Sequence, residues 1–99
     1  GGGSINCDDT NTFPDIDTHH ITISGFSFSP NALTIGLCDE VVWTNNHSSP
    51  HTVSSNTGTE LSSNTLNNGD FYSHQFDATG LFEYHCNFHG SMQGSITVE

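Results

Sequence analysis

The last fifth of the chain reads Tyr84-His85-Cys86-Asn87-Phe88-His89-Gly90-Ser91-Met92. A thiol, an imidazole and a thioether fall in the order Cys-x2-His-x2-Met. Far upstream, Ser49-Pro50-His51-Thr52 supplies a second imidazole. Two His, one Cys and a weak axial Met are the donors that favour copper in a trigonal electron-transfer site. The candidate metal ligands are therefore His51, Cys86, His89 and Met92, holding one copper per chain that alternates between Cu(I) and Cu(II). In this reading the Cys86 thiolate gives a short covalent bond and intense visible colour. His51 and His89 complete the plane, and Met92 approaches along one axis and helps set the potential. Structural zinc would want four ligands in paired Cys/His spacings, and the chain has no Cys-x2-Cys. A two-copper centre would need a second Cys beside Cys86, and there is none.

Ligands so far apart in sequence need a scaffold that brings chain ends and loops together. From residue 18 the chain alternates apolar and polar residues in short runs broken by turns. Ile21 and Ile23 alternate with Thr22 and Ser24, Phe26 and Phe28 with Ser27 and Ser29, and then Leu33, Ile35 and Leu37 follow. Ser29-Pro30-Asn31 and Cys38-Asp39-Glu40 are turns. Val41 and Trp43 share a face, and Trp43 is a core residue. Residues 52–69 are polar, with Leu61 and Leu66 as anchors and room for at most one helical turn. Phe71 to Phe76 is a strand with Tyr72, His74 and Phe76 on one side. Leu81 to Cys86 follows with Phe82, Tyr84 and Cys86 on one side, and Gly94 to Val98 closes the sheet. No segment keeps a helical period. Seven to eight short strands predict an all-β fold, a Greek-key β-sandwich. It places His51 and Cys86 at strand ends, and His89 and Met92 on the loop between the last two strands.

The 99 residues make one domain, read as a flexible arm over 1–17 and a copper domain over 18–99, with Gly1 to Ser4 read as a linker remnant. The chain has no Lys or Arg against eleven Asp and Glu, a formal net charge of -11. Nucleic acid is excluded as a partner, because phosphate binding needs cations. Anionic membrane surfaces repel the domain, and no apolar run is long enough to span a bilayer. A cationic protein partner is steered toward it, more strongly at low salt; the same charge also keeps it soluble. With Cys86 assigned to metal, Cys7 and Cys38 are left to form one disulfide in an oxidising compartment. It closes a loop of about 31 residues, worth roughly 3–4 kcal/mol in the chain-entropy model. The expected location is extracytoplasmic, periplasmic or at the cell surface, and the expected state is a monomer.

At the ligand residues the chain resembles the cupredoxin family of small type 1 blue copper proteins, nearest the amicyanin, plastocyanin and halocyanin type. The resemblance spans about residues 19–99. It runs through Phe28-Ser29-Pro30, Leu33-Thr34-Ile35, Val41-Val42-Trp43-Thr44-Asn45, Pro50-His51-Thr52, Gly80 to Cys86, and Met92 to Val98. It implies copper ligation by His51, Cys86, His89 and Met92, and electron transfer through the exposed edge of His89 to redox partner proteins. Three positions depart from the family pattern. Phe88 and Gly90 stand where related short loops often carry Pro, and Thr52 stands where Asn commonly follows the upstream His.

The reading that follows is a soluble one-electron carrier and not an enzyme. A copper enzyme binding nitrite or nitric oxide would need an open axial position, which Met92 fills. Copper storage or delivery usually uses exposed Met- or Cys-rich sites, and this chain has one Met. The Thr52 N–H is expected to donate to the Cys86 sulfur and the Thr52 hydroxyl to tie the two ligand loops, with Asn46 and Asn87 bracing them. The remaining histidines are assigned other roles: His85 to a solvated strand position, His74 to a packed and hydrogen-bonded core position. His19 and His20, near Asp15 and Asp17, are read as exposed, and His47 as lying outside the ligand set. Phe88 is expected to widen an apolar patch around His89.

Overall fold

The computed structural model describes Cys7 and residues 15–99. The arm expected over 1–17 lies outside these residues except at Cys7 and Asp15 to Asp17. The alternating runs become eight strands, and no helix forms among the described residues. They are β1 (Thr18–Ser24), β2 (Ser27–Ser29), β3 (Ala32–Ile35), β4 (Glu40–Asn45), β5 (Ser54–Ser55), β6 (Phe71–Gln75), β7 (Gly80–Cys86) and β8 (His89–Val98). They form two four-stranded sheets, ordered β2-β1-β4-β6 and β3-β8-β7-β5. β1 runs parallel to β4, and β3 parallel to β8, while every other pairing is antiparallel. The chain must therefore cross between sheets, giving the Greek-key sandwich that the strand pattern predicts.

Alternation decides what the sheets bury. Ile21, Ile23, Phe28, Val41, Trp43 and Phe76 face Ile35, Tyr84, Ile96 and Val98 in one core. Leu61 and Leu66 anchor the long polar segment against it, as expected. Trp43, Tyr84 and Phe28 meet edge to face, with centroids 5.5 Å apart for Trp43–Tyr84 and 4.7 Å for Phe28–Tyr84. Such pairs add modestly to their area burial. Tyr84 fits only because Gly94, its partner across the ladder, lacks a side chain; a Cβ there would overlap the phenol ring.

Three elements differ from the sequence expectation. The two-residue β5 sits inside the polar segment, where no apolar alternation marks it; Ser54 and Ser55 are recruited by pairing with His85 and Tyr84. Phe26 is not on the core face with Phe28. Gly25 takes a φ of 60°, so the chain reverses there and Phe26 stays on the turn, 61% exposed. The last strand starts at His89 rather than Gly94. Asn87 and Phe88 make a tight turn that pairs Cys86 with His89, a bulge follows, and pairing resumes at His85 with Gln93. Residues 87–92 do not alternate, so they read as loop; the adjacent β7 backbone imposes the pairing, and the bulge absorbs the extra residues.

The strand ends define two poles. Ser24, Asn45, Phe71, Cys86 and His89 lie at one, and Thr18, Glu40, Gln75, Gly80 and Val98 at the other. The second pole is tied by the Cys7–Cys38 disulfide, with Cα atoms 5.5 Å apart. Beside it, buried Asp39 accepts the N–H of Asp17 at 3.0 Å and of Gly36 at 2.9 Å, and its Oδ2 lies 2.9 Å from His19 Nε2. Burial opposes ionisation of this carboxyl, but the bonds from His19, Asp17 and Gly36 outweigh it and hold its pKa below the ordinary value.

Candidate metal centre

The site is assembled at the first pole from β4, the following loop, and the β7–β8 hairpin. Asn45, the last residue of β4, is fully buried and acts as the junction. Its Nδ2 donates to the carbonyls of Ser49 at 2.9 Å and Leu66 at 2.8 Å, and its Oδ1 accepts the His47 N–H at 2.8 Å. These bonds fold residues 46–50 into a compact loop that delivers His51. His51 is then clamped to Leu66 by two backbone bonds, at 3.0 and 2.8 Å. Its ring reaches the buried Cys86, with Nδ1 at 3.5 Å from Sγ. The bracing role expected of Asn46 is a misplacement by one residue. Asn46 is exposed and Asn45 does the bracing, because alternation along β4 turns Asn45 inward.

Thr52 ties the two ligand segments. Its N–H points at Cys86 Sγ at 3.4 Å, and its hydroxyl oxygen accepts the Asn87 N–H at 2.9 Å. Asn87 thus braces the turn through its backbone, while its side-chain oxygen lies 3.1 Å from His85 Nε2. His89, at the start of β8, is half-buried, with its ring centroid 5.4 Å from that of His51. Met92 is on β8, within the bulge, and is only 2% exposed. Both belong to the strand rather than to a free loop. Phe26, which the alternation puts on one face with Phe28, instead stands edge-on to three imidazoles. Its centroid lies 4.8 Å from His89, 5.0 Å from His47 and 6.1 Å from His51. Phe88 is 52% exposed beside His89, leaving its ring on the surface.

His51 is held as a poor proton acceptor. Burial lowers its pKa, and the neighbouring His47 and His89 lower it further, against a raising contribution from the Gly25 carbonyl. A neutral imidazole facing a buried thiol suits a metal, which needs both donors deprotonated. Two imidazoles, a thiol and a thioether fit copper, being the soft and borderline donors it prefers. Among the described residues, the trio of His, Cys, Asp or Glu ligand atoms that lies within 4.8 Å belongs to Asp17, His19 and Asp39 at the other pole. There the carboxylate lone pairs are occupied by backbone N–H groups, so the arrangement works as a structural knot.

The other histidines fall close to their expected places. His74 is half-buried, packed edge-on against Phe76 at 4.7 Å and bonded to Glu60. His85 lies partly in solvent, 2.6 Å from Asn56 Oδ1. His20 is exposed, whereas His19 is half-buried by its contact with Asp39. His47 is outside the four-residue set but touches it: Nδ1 is 3.0 Å from His51 Nε2.

A Greek-key sandwich with a buried Cys–His pair at one pole defines a cupredoxin-type copper protein. A family model described as copper binding proteins, plastocyanin/azurin family, matches residues 17–99, and the chain belongs to that family. A plastocyanin of Scenedesmus fuscus is 33% identical over 84 residues, covering 73% of this chain and 86% of that protein. Amicyanin-alpha of Methylorubrum extorquens is 29% identical over 83 residues, covering 80% and 70%. Among solved structures, a purple cupredoxin from Nitrosopumilus maritimus matches with a TM-score of 0.76 at 31% identity, over 82% of this chain and 99% of that one.

Proposed function

We propose that this protein is a one-electron carrier whose single copper ion is held by His51, Cys86, His89 and Met92. The observation that carries the reading is the buried Cys86 sulfur, facing His51 Nδ1 at 3.5 Å and receiving the Thr52 N–H at 3.4 Å. Copper supplies the Cu(I)/Cu(II) couple when bound. The chain supplies a rigid, dry seat for it. The Thr52 bonds fix Cys86 against His51, the Asn45 network fixes the loop that carries His51, and Phe26 shields the imidazoles from water. A seat that does not rearrange keeps the reorganisation cost of gaining an electron low. His89 is the half-exposed ligand, so the electron passes through its ring edge to a redox partner protein.

Phe26 and Phe88 flank that edge with apolar surface for the partner. The disulfide fits an extracytoplasmic protein. No helix of the structure is long and apolar enough to cross a membrane. The test is to add Cu(II) to the metal-free protein and record visible and paramagnetic resonance spectra. Strong thiolate-to-copper absorption with narrow copper hyperfine splitting, lost in Cys86→Ser, is the expected result. A pale spectrum unchanged by that substitution would overturn the assignment.

A further inference from the structure

We propose that His47 is a positioning residue for His51: it accepts the Nε2–H of His51 and so commits the opposite nitrogen, Nδ1, to the metal. The proposal rests on the copper reading above and adds a residue to it. The two rings are inclined by only 23°, with centroids 5.3 Å apart and His47 Nδ1 3.0 Å from His51 Nε2. Nδ1 of His51 faces the Cys86 sulfur, so a ligating His51 must carry its single proton on Nε2. That N–H is buried and needs an acceptor. Ligating histidines ordinarily give this proton to a carboxylate, a backbone carbonyl or water, and the partner fixes the tautomer and raises ligand basicity. Here the partner is a second imidazole, a stronger base than a carbonyl and one that adds no charge to the site.

His47 is itself held for this task. Its N–H donates to Asn45 Oδ1, its carbonyl accepts from Asn68 Nδ2 at 3.2 Å, and the Phe26 ring packs on its edge. A backbone tied at both its N–H and its carbonyl, with Phe26 against the ring, keeps the acceptor in place before any metal arrives. The rival acceptor is the Gly25 carbonyl, which also faces His51.

The experiment compares wild type, His47→Phe and His47→Asn. Phe keeps a ring and removes the acceptor; Asn places an oxygen near the former Nδ1. In ¹⁵N-labelled metal-free protein, the histidine tautomers are read by long-range ¹H–¹⁵N correlation. The expected result is His51 protonated at Nε2 in wild type, a mixture of tautomers in His47→Phe, and the wild-type tautomer restored in His47→Asn. In the copper-loaded forms, loss of copper to a chelator should quicken by about tenfold or more in His47→Phe and return toward wild type in His47→Asn. Wild-type His51 protonated at Nδ1 would overturn the proposal even if the Phe variant failed to fold. So would a His47→Phe protein matching wild type in both tautomer and copper loss, a result assigning the proton to the Gly25 carbonyl. A correct tautomer in a protein that gives only a pale copper spectrum would instead count against the copper reading.

Discussion

Cys86 and His51 show how a few hydrogen bonds make two residues far apart in sequence into one site. Cys86 is the free thiol among the described residues and is fully buried. A second residue, Tyr84, illustrates packing. Its hydroxyl and the Trp43 Nε1 are buried without hydrogen-bond partners, and burial pushes the Tyr84 pKa up to about 12. Its ring occupies the space left by Gly94. Gly94→Ala should lower stability by about 1–3 kcal/mol through overpacking, measured as a shift in the urea midpoint. A midpoint equal to wild type would show that the phenol can move aside. Asp39 gives a pH prediction. Its folded pKa lies below the ordinary aspartate value, so the unfolded state takes up the proton first as pH falls. The carboxylate therefore contributes stability above that value and loses it as pH drops through the folded pKa. Urea midpoints across the acid range should fall more steeply for wild type than for Asp39→Asn, and parallel curves would refute this account.

At the scale of elements, the β7–β8 hairpin decides where three of the four candidate ligands stand. Proline has no N–H to give to a ladder. With Phe88 and Gly90 at the positions where related loops often carry Pro, the backbone closes a tight turn and pairs Cys86 with His89. The bulge that follows re-aims Met92 into the interior, where regular alternation from His89 would set a different phase. At the opposite pole, the disulfide ties Cys7 to the turn after β3. Its sequence separation of 31 predicts that Cys7→Ser/Cys38→Ser loses roughly 3–4 kcal/mol in chemical denaturation. The copper spectrum should survive, because the bridge and the site occupy different poles. Loss of both together would mean that the poles are coupled.

For the whole molecule, the distribution of charge counts more than its total. Asp15, Asp17, Asp39, Glu40, Asp77 and Glu99 are grouped by the strand ends at the disulfide pole, whereas the site pole carries Asp70 beside Phe26, Phe88 and His89. The sequence pointed to cationic partners from net charge alone. Under the proposed function the topology separates steering from contact: the charge would steer a cationic partner, while the pole that exposes His89 presents the rings of Phe26, Phe71 and Phe88. Reduction of the copper-loaded protein by a cationic metal complex should slow as salt rises, and reduction by an anionic complex should quicken, in stopped-flow traces. Salt-independent rates for both would show that the far pole's charge does not reach the site.

The sequence by itself determined the all-β class, the spacing of His51, Cys86, His89 and Met92, and the pairing of Cys7 with Cys38. These were legible because alternation, ligand type and cysteine count are local or additive signals. Leu61, Leu66 and Trp43 could be named as buried for the same reason. Only the tertiary structure decided that Asn45 rather than Asn46 braces the loop, that Phe26 turns away from the face of Phe28 to pack against three imidazoles, and that β8 begins at His89. It alone placed His47 Nδ1 against His51 Nε2 and Asp39 between His19 and Asp17. Each of these depends on which way a backbone turns at Gly25, at the β7–β8 bulge or at the end of β4. Such turns are settled by pairing with strands distant in sequence, for which no local pattern carries a mark.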